Sequence, residues 1–91
     1  MSNDDIITAR AELTRRIAAI EWRAGPTRLA PDIERIHELA RHHHLPAAVD
    51  VANQLRLALA RGERGVPVHR LLQLLGQAVA TDRAEAPRRA A

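Results

Sequence analysis

Pro31-Asp32-Ile33-Glu34-Arg35-Ile36-His37-Glu38-Leu39-Ala40-Arg41-His42-His43-His44, followed at once by Leu45-Pro46-Ala47-Ala48-Val49-Asp50-Val51-Ala52, decides the fold of this 91-residue chain. Each half sets a proline in front of helix-forming residues, and proline is tolerated in the first turn of a helix but disruptive inside it. In the first half Ile33, Ile36, Leu39 and Ala40 recur at intervals of three and four, the mark of one apolar helix face. Pro67 repeats the device ahead of Val68, Leu71, Leu72, Leu75 and Val79. Three prolines therefore divide the chain into four helices.

Working outward, the spacing predicts a first helix from about Asp4 to about Ala24, with Ser2 or Asn3 as its cap and Gly25-Pro26 as its stop. Ile6, Ala9, Leu13, Ile17 and Ile20 fall on one face; Ile7, Ala11, Ala18 and Trp22 fall on a second. The second helix is expected from Pro31 to about His43 and the third from Pro46 to about Arg61, stopped by Gly62. Ala48, Ala52, Leu55 and Leu59 form the main stripe of the third, with Val49, Asn53 and Leu57 on another flank. The fourth covers about Pro67 to Ala80. Short connections make successive helices antiparallel, so the expected architecture is an all-α, up-down four-helix bundle over residues 1–80 with a flexible tail over 81–91.

Composition narrows the rest. A chain of this length makes one small domain. Without Phe or Tyr, and with Trp22 as the sole aromatic, its core must be built from Ile, Leu, Val and Ala. No run alternates as a half-buried strand would. There is no cysteine, which excludes disulfides and thiolate metal sites. No apolar run approaches the ~20 residues that span a bilayer, and the N-terminus lacks the pattern of a signal peptide, so the expectation is a cytoplasmic protein without membrane contact. Every basic residue is Arg, as a GC-rich genome would favour. The net charge of +3 is mild, and Arg is interspersed with Asp and Glu along the first three helices, with Arg70 the one formal charge in the fourth.

The second stripe of the first helix carries two readings. In one, Trp22 folds over Pro26 and Leu29 while the tail covers Ile7. In the other, Ile7, Trp22 and Leu57 belong to an exposed patch that a homodimer or a partner helix would bury.

The histidines are the candidates for chemistry. Neighbours on a helix diverge by about 100°, so His42, His43 and His44 cannot converge on one ion, and no pair among them and His37 has the i,i+4 spacing of a metal site. No metal and no cofactor is expected. They read instead as a polar helix end beside the negative pole of the helix dipole. His37 falls at the edge of the inward stripe, partly packed and partly wet.

The run His37-Glu38-Leu39-Ala40-Arg41, then Leu45-Pro46-Ala47-Ala48 and a helix ending Ala58-Leu59-Ala60-Arg61-Gly62, resembles a histidine-containing phosphotransfer (HPt) domain. The resemblance covers about Ile33 to Val79. It implies a helical bundle in which His37 takes phosphate from a response-regulator receiver. The family motif is His-x-x-Lys-Gly; this chain has Ala40 at the Lys position and Arg41 at the Gly position. Arg41 would have to supply the missing cation, and its bulk stands where receivers dock. The resemblance thus points to a degenerate relative: a non-enzymatic interaction module, with a receiver domain or histidine kinase as partner and a homodimer as a further option. His37 is then a phosphoacceptor candidate, and the interaction surface comprises Ile7, Trp22, His37, Arg41 and Leu57.

A nucleic-acid-binding helix-turn-helix is the rival. It would set Glu38-Leu39-Ala40-Arg41 before Leu45-Pro46-Ala47-Ala48-Val49, with Ala40 at the small-residue position. Its turn usually carries Gly where His44 stands, its second helix would bury Asp50 and Asn53, and no dense Arg face is available for phosphates. Glu34 and Glu38, at i,i+4, read as a solvated face rather than a catalytic pair.

Overall fold

The computed structural model describes residues 3–81, which form four α-helices: α1 (Asn3–Ala18), α2 (Pro26–His42), α3 (Pro46–Ala60) and α4 (Val66–Thr81). The protein is a small all-α four-helix bundle. Each helix packs on its chain neighbours and α1 also packs on α4, so α1 lies diagonal to α3 and α2 to α4. The directions alternate. Trp22, just past the end of α1, meets His69 in the first turns of α4, whereas Arg10 in α1 donates to the carbonyl of Val79 near the other end. A guanidinium beside the last turn of a helix also suits its dipole.

The core is wholly apolar among the described residues. Leu13 and Ile20 from the α1 region, Leu29, Ile33, Ile36 and Ala40 from α2, Leu45, Ala48, Ala52, Leu55 and Leu59 around α3, and Val68, Leu72, Leu75 and Val79 from α4 make one cluster. With Ala40, Ala48 and Ala52 fully buried at the centre, the α2 and α3 backbones can approach closely, since methyl groups fill the gap that bulkier side chains would hold open. The stripes expected for the second to fourth helices are therefore the buried ones, except that Leu39 and Leu71 are only half-buried.

Three boundaries differ from expectation. α1 ends at Ala18 rather than near Ala24: the last regular turn closes with Ala19 N–H to Arg15 C=O, after which Ile20 N–H turns back to Ile17 and Ala24 N–H to Glu21. The connection lets Ile20 dip into the core, which a straight helix could not do while keeping Trp22 against α4. α2 begins at Pro26 rather than Pro31. Gly25, at φ −69° and ψ 162°, caps it, and Pro26 takes the first helical position. Pro31 lies inside the helix, where it has no N–H to donate to the Thr27 carbonyl; Thr27 is exposed, so the missing bond falls on the surface side of the helix. At the other end, Thr81 still belongs to α4, its hydroxyl donating to Gln77 C=O at 2.8 Å. The remainder of the expected tail, and the expected Ser2 cap, lie outside the described residues.

Two helix ends share one device. At the end of α3, Gly62 (φ 82°) turns the chain while Glu63 N–H reaches Ala58 C=O and Gly62 N–H reaches Leu59 C=O. At the end of α2, His44 (φ 59°) does the same work with Leu45 N–H to Ala40 C=O and His44 N–H to Arg41 C=O. This is the left-handed C-terminal cap that glycine ordinarily supplies. Leu45 and Ala40, both fully buried, form the apolar contact that accompanies the motif. His44 thus adopts the backbone conformation of glycine despite its side chain, and the histidine tract is used as a helix stop.

α2 and α3 then run side by side along their whole length: Pro26 and Thr27 face Leu59 and Ala60 at one end, and Arg41 faces Val49 at the other. The two helices of a helix-turn-helix cross steeply and meet only near the turn. This pair is an antiparallel hairpin.

Candidate docking face of α2 and α3

The seam between α2 and α3 is fixed by its contacts. Glu34 Oε2 accepts from Arg56 Nε at 2.7 Å, Arg56 Nη1 donates to Asn53 Oδ1 at 3.2 Å, and Arg41 shares a shallow depression with Val49 and Asp50. On α2 the seam residues are Ala30, Glu34, His37 and Arg41, at helical intervals of four, three and four; on α3 they are Val49, Asn53, Arg56 and Ala60. His37 lies between Glu34 and Arg41 on this face of α2. His37 is half-buried and Arg41 exposed, as expected for the edge of the inward stripe.

Towards the start of α2 the seam opens into a groove of about 720 Å³, walled by Pro26, Ala30, Pro31, Ile33, Leu57 and Ala60. Pro26, Ala30 and Pro31 on the α2 wall and Ala60 on the α3 wall are too small to close the space above Ile33, and Thr27, Glu34, Asn53 and Arg56 make the rest of the lining polar. Leu57 stands on the wall at 52% exposure, an apolar side chain without a cover. The Glu34–Arg56 ion pair forms the polar rim. Both side chains are substantially exposed, at 53% and 38%, so the pair contributes at most ~1 kcal/mol to stability and is free to exchange partners.

The five residues singled out in the sequence do not form one surface. His37, Arg41 and Leu57 share the α2–α3 seam and its flank. Ile7, 62% exposed on α1, and Trp22 lie elsewhere. Trp22 is half-buried, lies past the end of α1 and packs against the core cluster to which Leu29 belongs. Its ring stacks on His69 at 4.5 Å between centroids, tilted by 32°, and the Arg23 guanidinium sits over it at 4.6 Å. Together with Ile17, Leu72 and Gly76 it lines a second groove of about 490 Å³ between α1 and α4. The proposed cover of Ile7 by the tail involves residues outside those described.

Ala40 bears directly on the phosphotransfer motif. It is fully buried against the core, so the position at which the family carries lysine points inward here. The only cation one turn after His37 on this side is Arg41, which the C-terminal end of α2 holds at the surface. His42 and His43 meet edge to face, with centroids 4.9 Å apart, and no group of three metal-ligating side chains gathers among the described residues. Arg35, Glu38, Leu39, Arg41, His42 and His44 surround a depression of mixed charge at this end of the helix. No helix among the described residues is long and apolar enough to cross a membrane.

Sequence reasoning missed the groove itself. Its signal was present as Pro26, Ala30, Pro31 and Ala60, but only the early start of α2 brings the first three onto one helix beside the last.

Comparison with known proteins finds no match: no family model, no curated protein and no solved structure matches the chain.

Proposed function

We propose that the protein is a non-enzymatic interaction module that binds a protein partner through the α2–α3 face, as an HPt-like adaptor for a receiver domain or histidine kinase that does not pass phosphate. The observation that carries this reading is the coincidence on one seam of His37, Arg41, an apolar groove and the uncovered Leu57. Burial of a contiguous apolar surface is the usual driving force for association, and exposed charges at its margin set orientation. The inward position of Ala40 supports the adaptor over the relay, because a transferred phosphoryl group at His37 would lack the lysine that stabilises it in the family.

The test is incubation of the protein with a panel of phosphorylated receiver domains, with transfer and complex formation read in the same samples. The adaptor reading predicts a complex with at least one receiver and no label on this chain. Label that arrives and is abolished by His37→Gln would instead establish a relay. Absence of both transfer and complex would remove the receiver as partner.

A further inference from the structure

The occupant of the α2–α3 groove can be named from the face itself. We propose that it is a second copy of this chain, in a two-fold arrangement that packs α3 antiparallel on α3 of the other copy; this rests on reading the α2–α3 face as the interaction surface, on which self-association and partner binding exclude one another.

The face is self-complementary in shape and in charge. In shape, it carries an uncovered apolar side chain, Leu57, on the wall of a groove in which the small side chains of Ala30 and Ala60 and the rings of Pro26 and Pro31 leave room for one. A two-fold axis places each Leu57 at the other copy's groove, as an isologous interface requires. In charge, Asp50, Asn53 and Leu57 of α3 and Arg61, the residue that follows its last turn, are all exposed and spaced at three or four residues. The acid is at the start of the helix and the base at its end, so antiparallel copies bring Asp50 of each towards Arg61 of the other, with Leu57 between. Asp50 has no ion-pair partner among the described residues, while Arg61 is held by Glu63 in the adjoining loop at 3.0 Å, with 64% of its side chain exposed. An exposed pair of this kind is readily exchanged. Glu34 and Arg56 give the groove a rim of both signs, and each Arg56, near the two-fold axis in this register, is paired with Glu34 of its own copy. A strongly acidic or strongly basic partner would find no matching field here.

The experiment is sedimentation equilibrium of the full chain over a concentration series reaching about 1 mM, where even weak association is populated. The expected result is a monomer–dimer equilibrium that Leu57→Glu weakens about thirtyfold, equivalent to the ~2 kcal/mol of an anchoring side chain. Asp50→Arg should weaken it as well, and Asp50→Arg combined with Arg61→Asp should restore it. That rescue keeps the test valid if the glutamate variant folds poorly. A monomer at every concentration would overturn the proposal, as would a dimer indifferent to both Leu57→Glu and the charge reversals. If the chain stays monomeric yet forms a receiver complex that Leu57→Glu disrupts, the dimer fails while the interaction reading stands. Failure of both measurements would count against the face as an interaction surface.

Discussion

At the scale of single residues, His44 shows the cost of ending a helix without glycine. An L-residue in the left-handed region carries a strain of about 1 kcal/mol or more, and the loop at Gly62 shows the same cap made without it. His44→Gly is therefore expected to stabilise the protein by up to about 1 kcal/mol, less what the more flexible unfolded chain takes back. Urea denaturation of the two forms checks the sign. An unchanged or lowered midpoint would mean that the His44 side chain makes a contribution in the folded state that outweighs its backbone strain. Asparagine at this position should fall between the two, since it tolerates this conformation better than most side chains.

At the scale of elements, the third and fourth helices were legible in the sequence to within a residue or so, because proline entry and a periodic stripe agree there. At the end of the third, glycine exit agrees as well. The first two were not. Gly25-Pro26 served as a plausible stop for α1 and Pro31 as a plausible start for α2, yet Gly25-Pro26 is equally good as a helix start, and a proline one turn further in forfeits only one backbone bond. Local preference could not choose between the two readings; burial of Ile20 and Leu29 decided it. The same ambiguity hid the groove and misplaced Trp22, whose contact with His69 spans 47 residues of sequence and leaves no local signature. That contact pins the α1–α2 connection to α4. Trp22→Ala and His69→Ala should each destabilise the fold, Trp22→Ala by about 2 kcal/mol, with a coupling of about 1 kcal/mol in the double-mutant cycle. Zero coupling would show that the rings are neighbours without mutual stabilisation. A fall in self-association rather than in stability would return Trp22 to the interaction surface.

At the scale of the whole molecule, the bundle separates its tasks by face. The α1–α4 side is held by the Trp22–His69 stack and by Arg10 on the end of α4; the α2–α3 side buries the alanine-rich seam and then leaves Leu57 and its groove open to solvent. Periodicity revealed the inward stripes but not this division, since Ile7, Leu57, Val66 and Leu74 are all exposed apolar residues, and what distinguishes Leu57 is the groove whose wall it forms. The central claim is that association belongs to the α2–α3 face. Its most direct test is amide chemical-shift mapping of the full chain as its concentration is raised. The expected shifts are confined to the seam and its flank, centred on Ala30, Glu34, Asn53 and Leu57, with the Trp22 indole and the α1 amides unmoved. Shifts centred on Trp22, Ile7 and Leu74, with the seam silent, would contradict it.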